Sequence, residues 1–133
     1  MKNAQIVRRF HTPVFALSGT DTLGQGALTF KVGGVDQGAI VQVWLHCQES
    51  RLSQVRFRAY GSPTLIAFAD AFCEALNGLS INSLHEFQLI SLQQQLEVPN
   101  TEIHVVMLFN ELLQDLQQGI AAATVAADNA KVP

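Results

Sequence analysis

A chain of 133 residues with no CxxC pattern is long enough to bury one core without disulfides or a structural metal, so a single domain is expected. Its formal charge of −3 leaves no basic face to neutralise phosphates, and the one basic cluster, Arg8-Arg9 with Lys2, is too sparse to hold a lipid surface; neither nucleic acid nor membrane is expected as a partner. No apolar run reaches the ~18–20 residues that span a bilayer, and the start lacks an apolar leader segment, so a cytoplasmic protein is expected.

Residues 1–26 show no sustained period; Ile6 to Phe10 suit a short helical turn, and Gly19, Gly24 and Gly26 break any regular pattern nearer Ala27. From Ala27 the period becomes two. Leu28, Phe30 and Val32 alternate with Thr29 and Lys31 in a first strand closed by Gly33-Gly34. A second strand sets Val41, Val43 and Leu45 against Gln42, Trp44 and His46, and Gln48-Glu49-Ser50 supplies the turn. A third sets Val55, Phe57 and Ala59 against Arg56, Arg58 and Tyr60. Short turns between alternating strands predict an antiparallel meander with one wet face. Trp44 on that face serves either a contact surface or the packing of the N-terminal segment.

The period then changes to 3.6. Ser62 suits an N-cap, Pro63 the first helical position and Gly78 the stop of a helix whose apolar stripe is Leu65, Phe68, Ala69, Phe72, Cys73 and Leu76, with Thr64, Asp70 and Glu74 off it. Ser83 to Glu86 has capping-box spacing and predicts one shorter helix from Leu84 to about Leu92. After Val98-Pro99-Asn100 a longer helix begins near Thr101, striped by Val105, Leu108, Phe109, Leu112, Leu116 and Ile120. Cys47 and Cys73 read as free thiols, each a small buried hydrophobe. The fold class expected is α+β, a three-stranded antiparallel meander packed on one face by C-terminal helices. Residues 1–121 form the domain and 122–133 a flexible tail.

The stretch from Arg56 to Ser80, RFRAYGSPTLIAFADAFCEALNGLS, resembles the central segment of the IscU/NifU N-terminal family of iron–sulfur cluster scaffolds. Arg56, Phe57, Tyr60 and Gly61 match the family's Arg-Phe-x-x-Tyr-Gly approach to a corner; Ile66, Ala67, Glu74, Gly78 and Ser80 match its continuation without a gap. Further on, Val98-Pro99 followed by Ile103-His104-Val105 is similar to the family's Leu-Pro segment and Ile-His-Cys, and His11-Thr12-Pro13 loosely matches its start. The likeness covers roughly residues 6–121.

By that resemblance a cluster would be held by three cysteines helped by an Asp and a His, because soft thiolates suit iron where hard ligands do not. Here the matching places are Asp36, in the Val35-Asp36-Gln37-Gly38 turn, then Ser62 and Val105; only His104 is retained. The resemblance therefore implies an iron–sulfur assembly protein degenerate at its ligands, binding no conventional cluster and no other cofactor. It would act on protein partners such as a cysteine desulfurase or another assembly component. The stretch matching the family's chaperone-docking segment, Val98 to Glu102, has an acidic residue where the family has a basic one. The alternatives are a protein-binding module with no role in assembly, and a weak zinc or iron(II) site at Asp36 and His104, with Ser62 or a water. Catalysis is not expected: GxSxG, HExxH and a Gly-rich phosphate loop are absent, and the four histidines are dispersed.

Overall fold

The computed structural model describes residues 4–17 and 26–131. The breaks read at Gly19 and Gly24, and Lys2 of the basic cluster, lie outside the described residues. The architecture is α+β: α1 (Ala4–His11), β1 (Leu28–Gly34), β2 (Ala39–Gln48), β3 (Arg51–Tyr60), α2 (Pro63–Leu76), α3 (Ile81–Glu86), α4 (Ile90–Gln95) and α5 (Ile103–Lys131). Helix α5 keeps helical backbone past Ala121, as far as Lys131. The three strands form an antiparallel sheet in the order β1-β2-β3, with Val32 opposite Val41 and Val43 opposite Phe57. Their alternation is the one read from the residues. Val41, Val43, Leu45, Val55 and Phe57 are buried under the helices, whereas Thr29, Lys31 and Arg58 are exposed on the far face. On that face Trp44 is half-buried, and the Arg58 guanidinium lies 5.8 Å from its ring centre.

Turn chemistry sets the register. Glu49 and Ser50 both take left-handed φ, 53° and 62°, which suits a two-residue hairpin loop between the paired Gln48 and Arg51. Farther along, Trp44 pairs with Arg56 but His46 pairs with Ser53, so Leu45 faces two residues of β3, one of them Gln54 at φ 51°. This bulge shifts the side-chain parity of β3 and brings Leu52 into the core beside Val55. Between β1 and β2 runs a 3₁₀ turn, Val35–Gln37, closed by the Gly38 amide donating to the Val35 carbonyl.

The outer edge of β3 is covered by two stretches from distant parts of the chain. Residues 15–17 pair in parallel with it: the Phe57 amide donates to the Phe15 carbonyl and the Leu17 amide to the Phe57 carbonyl. Residues 78–81 pair antiparallel with its start, through Gly78 and Leu79 to Leu52 and through Ile81 to Ser50. Between them the Val55 amide, two residues before Phe57, donates to the Asn77 side-chain oxygen at 3.2 Å.

Four sequence expectations are corrected. Thr64 and Asp70 lie off the apolar stripe of α2, yet each is 1% exposed. The reason is that α2 is enclosed: β3 lies along one side, α1 along another, and Phe109 of α5 stacks on Phe68 and Phe72 at 4.7 and 5.4 Å between ring centres. The single helix expected over Leu84–Leu92 is two, α3 and α4, because Phe87 takes extended backbone and turns its ring edge-on to Phe72. The residue that caps α3 is Ser80, which accepts the Ser83 amide at 3.1 Å, so the cap lies one turn earlier than Ser83. Cys73 is buried as expected, but Cys47 is exposed near the β2–β3 turn.

Candidate functional site

One end of the sheet collects the positions singled out by the family resemblance. Gly34 pairs with Ala39 and Ile40 with Tyr60, so the Asp36 turn and the Gly61-Ser62-Pro63 corner leave the sheet at the same end. The start of α5 is tied to that corner, because the Thr64 hydroxyl donates to a Glu102 carboxylate oxygen. Asp36 and His104 are both exposed there. The other two positions have structural occupations. The Ser62 hydroxyl accepts the Leu65 amide at 3.2 Å as the N-cap of α2, and Val105 is fully buried in the core. Among the described residues no group of three or more His, Cys, Asp or Glu side chains is placed to share a metal ion. A thiolate-held cluster does not fit this donor set: one hydroxyl already bonded, one aliphatic side chain, one carboxylate and one imidazole.

The same end exposes apolar surface that residue-by-residue reading passed over. Val35 is 81% exposed, Tyr60 66% and Ile103 40%, each adjacent in sequence to one of the four positions or to the corner. Exposure of large side chains from three separate segments at one end is a feature of contact surfaces.

A second constellation lies on the opposite flank of α2. Arg9 of α1 is buried and places Nη1 2.7 Å from Asp70, while Nη2 pairs with Glu74; the remaining Asp70 oxygen accepts the Phe15 amide at 2.9 Å. Burial alone would lower the Arg9 pKa, but the hydrogen bonds and charges of Glu74 and Asp70 outweigh it and the net direction is upward. Arg9 Nε is buried without a hydrogen-bond partner, beside a small cleft of about 110 Å³ that Arg8, Thr12 and Val14 also line. The charges of Arg9 and Asp70 are engaged with each other, so this cluster holds α1 and residues 15–17 onto α2. A sequence signal for it existed. Asp70 and Glu74 are an i,i+4 pair, and Ala67 and Ala71 flank Asp70 with small apolar side chains, which marks a second covered face.

The two thiols are set apart by burial. Burial raises the Cys47 pKa, and at Cys73 burial first and the Asp70 charge second push the thiol far above its ordinary value of 9.0. Cys73 therefore keeps its proton in the folded state where the unfolded chain would release it. Stability should fall as pH rises above about 9, by roughly 1.4 kcal/mol per unit, and Cys73→Val should flatten that slope. At pH 8, Ellman's reagent should modify Cys47 in the native protein and reach Cys73 only in denaturant; rapid native reaction of both thiols would contradict the burial.

No family model matches the chain and no curated protein matches it. Among solved structures, it is similar to one from thermophilic Fervidobacterium islandicum AW-1, assigned as an iron–sulfur cluster assembly scaffold protein for the SUF system. The TM-score is 0.48 and the identity 12%, over 60% of this chain and 56% of that one. The similarity thus spans little more than half the length of that protein.

Proposed function

We propose that this protein serves iron–sulfur cluster assembly through protein contacts, on the IscU/NifU plan, with its ligand positions converted to structural use. The matched stretch from Arg56 to Ser80 supports the assignment to that plan. The observation that carries the degenerate reading is the fate of the thiolate positions: a hydroxyl spent on a helix cap, a valine inside the core and an aspartate in an exposed turn. What that end of the sheet offers is contact area, from Val35, Tyr60 and Ile103, with Asp36, Glu102 and His104 among them. A cysteine desulfurase or another assembly component is the partner this reading names.

Anaerobic incubation with iron(II), sulfide and a cysteine desulfurase should leave no stable chromophore and no stoichiometric iron. The same desulfurase, titrated calorimetrically, should bind the native chain, and Tyr60→Asp should weaken that binding about tenfold. Zinc and iron contents of the native protein and of His104→Ala should be equal. A stoichiometric chromophore would overturn the degenerate reading; no binding to the desulfurase would remove that partner; and metal lost with His104 would restore a metal role for Asp36 and His104.

A further inference from the structure

Helices α4 and α5 leave an open groove of about 360 Å³ between them, lined by Leu89, Ile90, Gln93, Val106, Met107 and Asn110. Leu89 closes its floor and joins the core, whereas Ile90 is 50% exposed and Met107 68%. Ile103 stands one turn before Met107 on the same helical row and is also exposed, so the apolar surface is continuous rather than a scatter of single residues. The side-chain amides of Gln93 and Asn110, each with a donor and an acceptor, stand at its mouth.

The segments that line this groove carry acidic side chains and no lysine or arginine. Between Arg58 and Lys131 the chain has no lysine or arginine, yet it carries most of its 11 acidic residues there. Glu111 and Asp115 continue the row of Met107 at successive i+4 positions, both exposed, and Glu97 follows α4. An apolar occupant with basic flanks would meet complementary charge along the groove, and one with acidic flanks would be repelled.

We propose that the α4–α5 groove docks an amphipathic helix of a partner protein, with Leu- or Ile-type residues at i, i+3 and i+7 over Ile90, Val106 and Met107, and Lys or Arg on its flanks facing Glu111 and Asp115. A helix suits the crease between two helices, because the ridge of a third settles into it. A strand does not, since the backbone groups of α4 and α5 bond within their own helices and offer no ladder. A second copy of this chain is a poor occupant. Its basic helix among the described residues is α1, and the Ile6 and Arg9 face of α1 is already buried against α2. The groove adjoins the sheet end that carries Asp36, Ser62 and His104 at Ile103, but none of those three lines it, and its occupancy does not depend on a role in cluster assembly.

The test titrates the full chain with a fluorescein-labelled helical peptide of about four turns, built from Leu and Lys at that spacing, and with its Glu-for-Lys counterpart. Binding is read by anisotropy and located by amide NMR. The Lys peptide should shift the amides of Ile90, Gln93, Met107 and Asn110, and the Glu peptide should bind at least about tenfold more weakly. Met107→Lys, at an exposed position that leaves the core intact, should weaken the Lys peptide about tenfold or more. Glu111→Gln with Asp115→Asn should weaken it severalfold and flatten the salt dependence. The proposal is overturned by amide shifts elsewhere, by equal binding of the two peptides, by unchanged affinity in Met107→Lys, or by a dimer in sedimentation that Met107→Lys abolishes.

Discussion

Arg9→Met is expected to destabilise the protein by about 3–5 kcal/mol, read from the urea midpoint, because it leaves the Asp70 carboxylate buried with no countercharge. Asp70 is 1% exposed, and its second oxygen is already spent on the Phe15 amide, so without the guanidinium the carboxylate stays buried and loses the partner of its first oxygen. The size of the loss depends on which partner is removed. Glu74→Gln takes away the other half of the cluster, but the Glu74 side chain is 54% exposed and its pairing is screened, so less than about 1 kcal/mol should follow. Adding Asp70→Asn to Arg9→Met should recover about half of the loss. The amide oxygen still accepts from Phe15, and the stranded charge is gone. A single-variant loss below about 1 kcal/mol would mean that α1 is held by Ile6 packing alone. Because the Arg9 pKa is shifted upward, its charge is held through neutral and mildly alkaline pH and lost only in strong alkali. No dependence on Arg9 should appear between about pH 5 and 9, in contrast to the alkaline slope expected from Cys73.

Gly33→Ala should cost about 3 kcal/mol or more, for two reasons that add. Gly33 sits at φ 88°, where an L side chain is strained, and a Cβ there would stand 2.1 Å from the Ala39 carbonyl oxygen. The obstacle is backbone of the paired strand, so no rotamer change relieves it. Gly38, at the end of the turn that joins β1 to β2, is the matched control. Its φ of 70° is also left-handed, but a Cβ would meet nothing within 4 Å, and Gly38→Ala should cost only about 1–2 kcal/mol. Equal losses at the two sites, in thermal or urea unfolding, would show that β1 and β2 can separate at Gly33 to admit the methyl group.

Much of the fold was legible because period and punctuation agree. The alternation of Val41, Val43 and Leu45, and the order Ser62, Pro63, Gly78 around a 3.6-residue stripe, are local signals that tertiary contacts reinforce. The bulge at Gln54 was not legible, since Leu52 and Val55 break the two-residue period and a polar residue at left-handed φ leaves no mark in composition. The break between α3 and α4 was hidden too, because Phe87 fits a helical stripe as well as it fits the contact with Phe72 that ends the helix. At the candidate site, the exposure of His104 and the burial of Val105 followed from helix position. That the Asp36 turn, Ser62 and the start of α5 share one end of the sheet depends on strand register and on the Thr64–Glu102 bond across 38 positions, which a linear reading does not supply. In the sequence Arg9 is one of a sparse basic cluster with Arg8 and Lys2; its burial follows from pairing with residues more than 60 positions away.

The covering of β3 by residues 15–17 and 78–81 bears on how the chain behaves before it is finished folding. The 78–81 segment follows β3 by a single helix and can close its half of the edge as soon as α2 forms. Residues 15–17 must return across β1 and β2, and they are fastened through Phe15 to the same Asp70 that Arg9 neutralises. Until that return is complete, the Phe57 amide and carbonyl remain an open pairing site between two apolar positions of the strand. An open edge of that kind recruits strands from other chains. The ion pair at Arg9 thus helps, through the Asp70 it shares with Phe15, to keep the edge of the third strand closed to other chains.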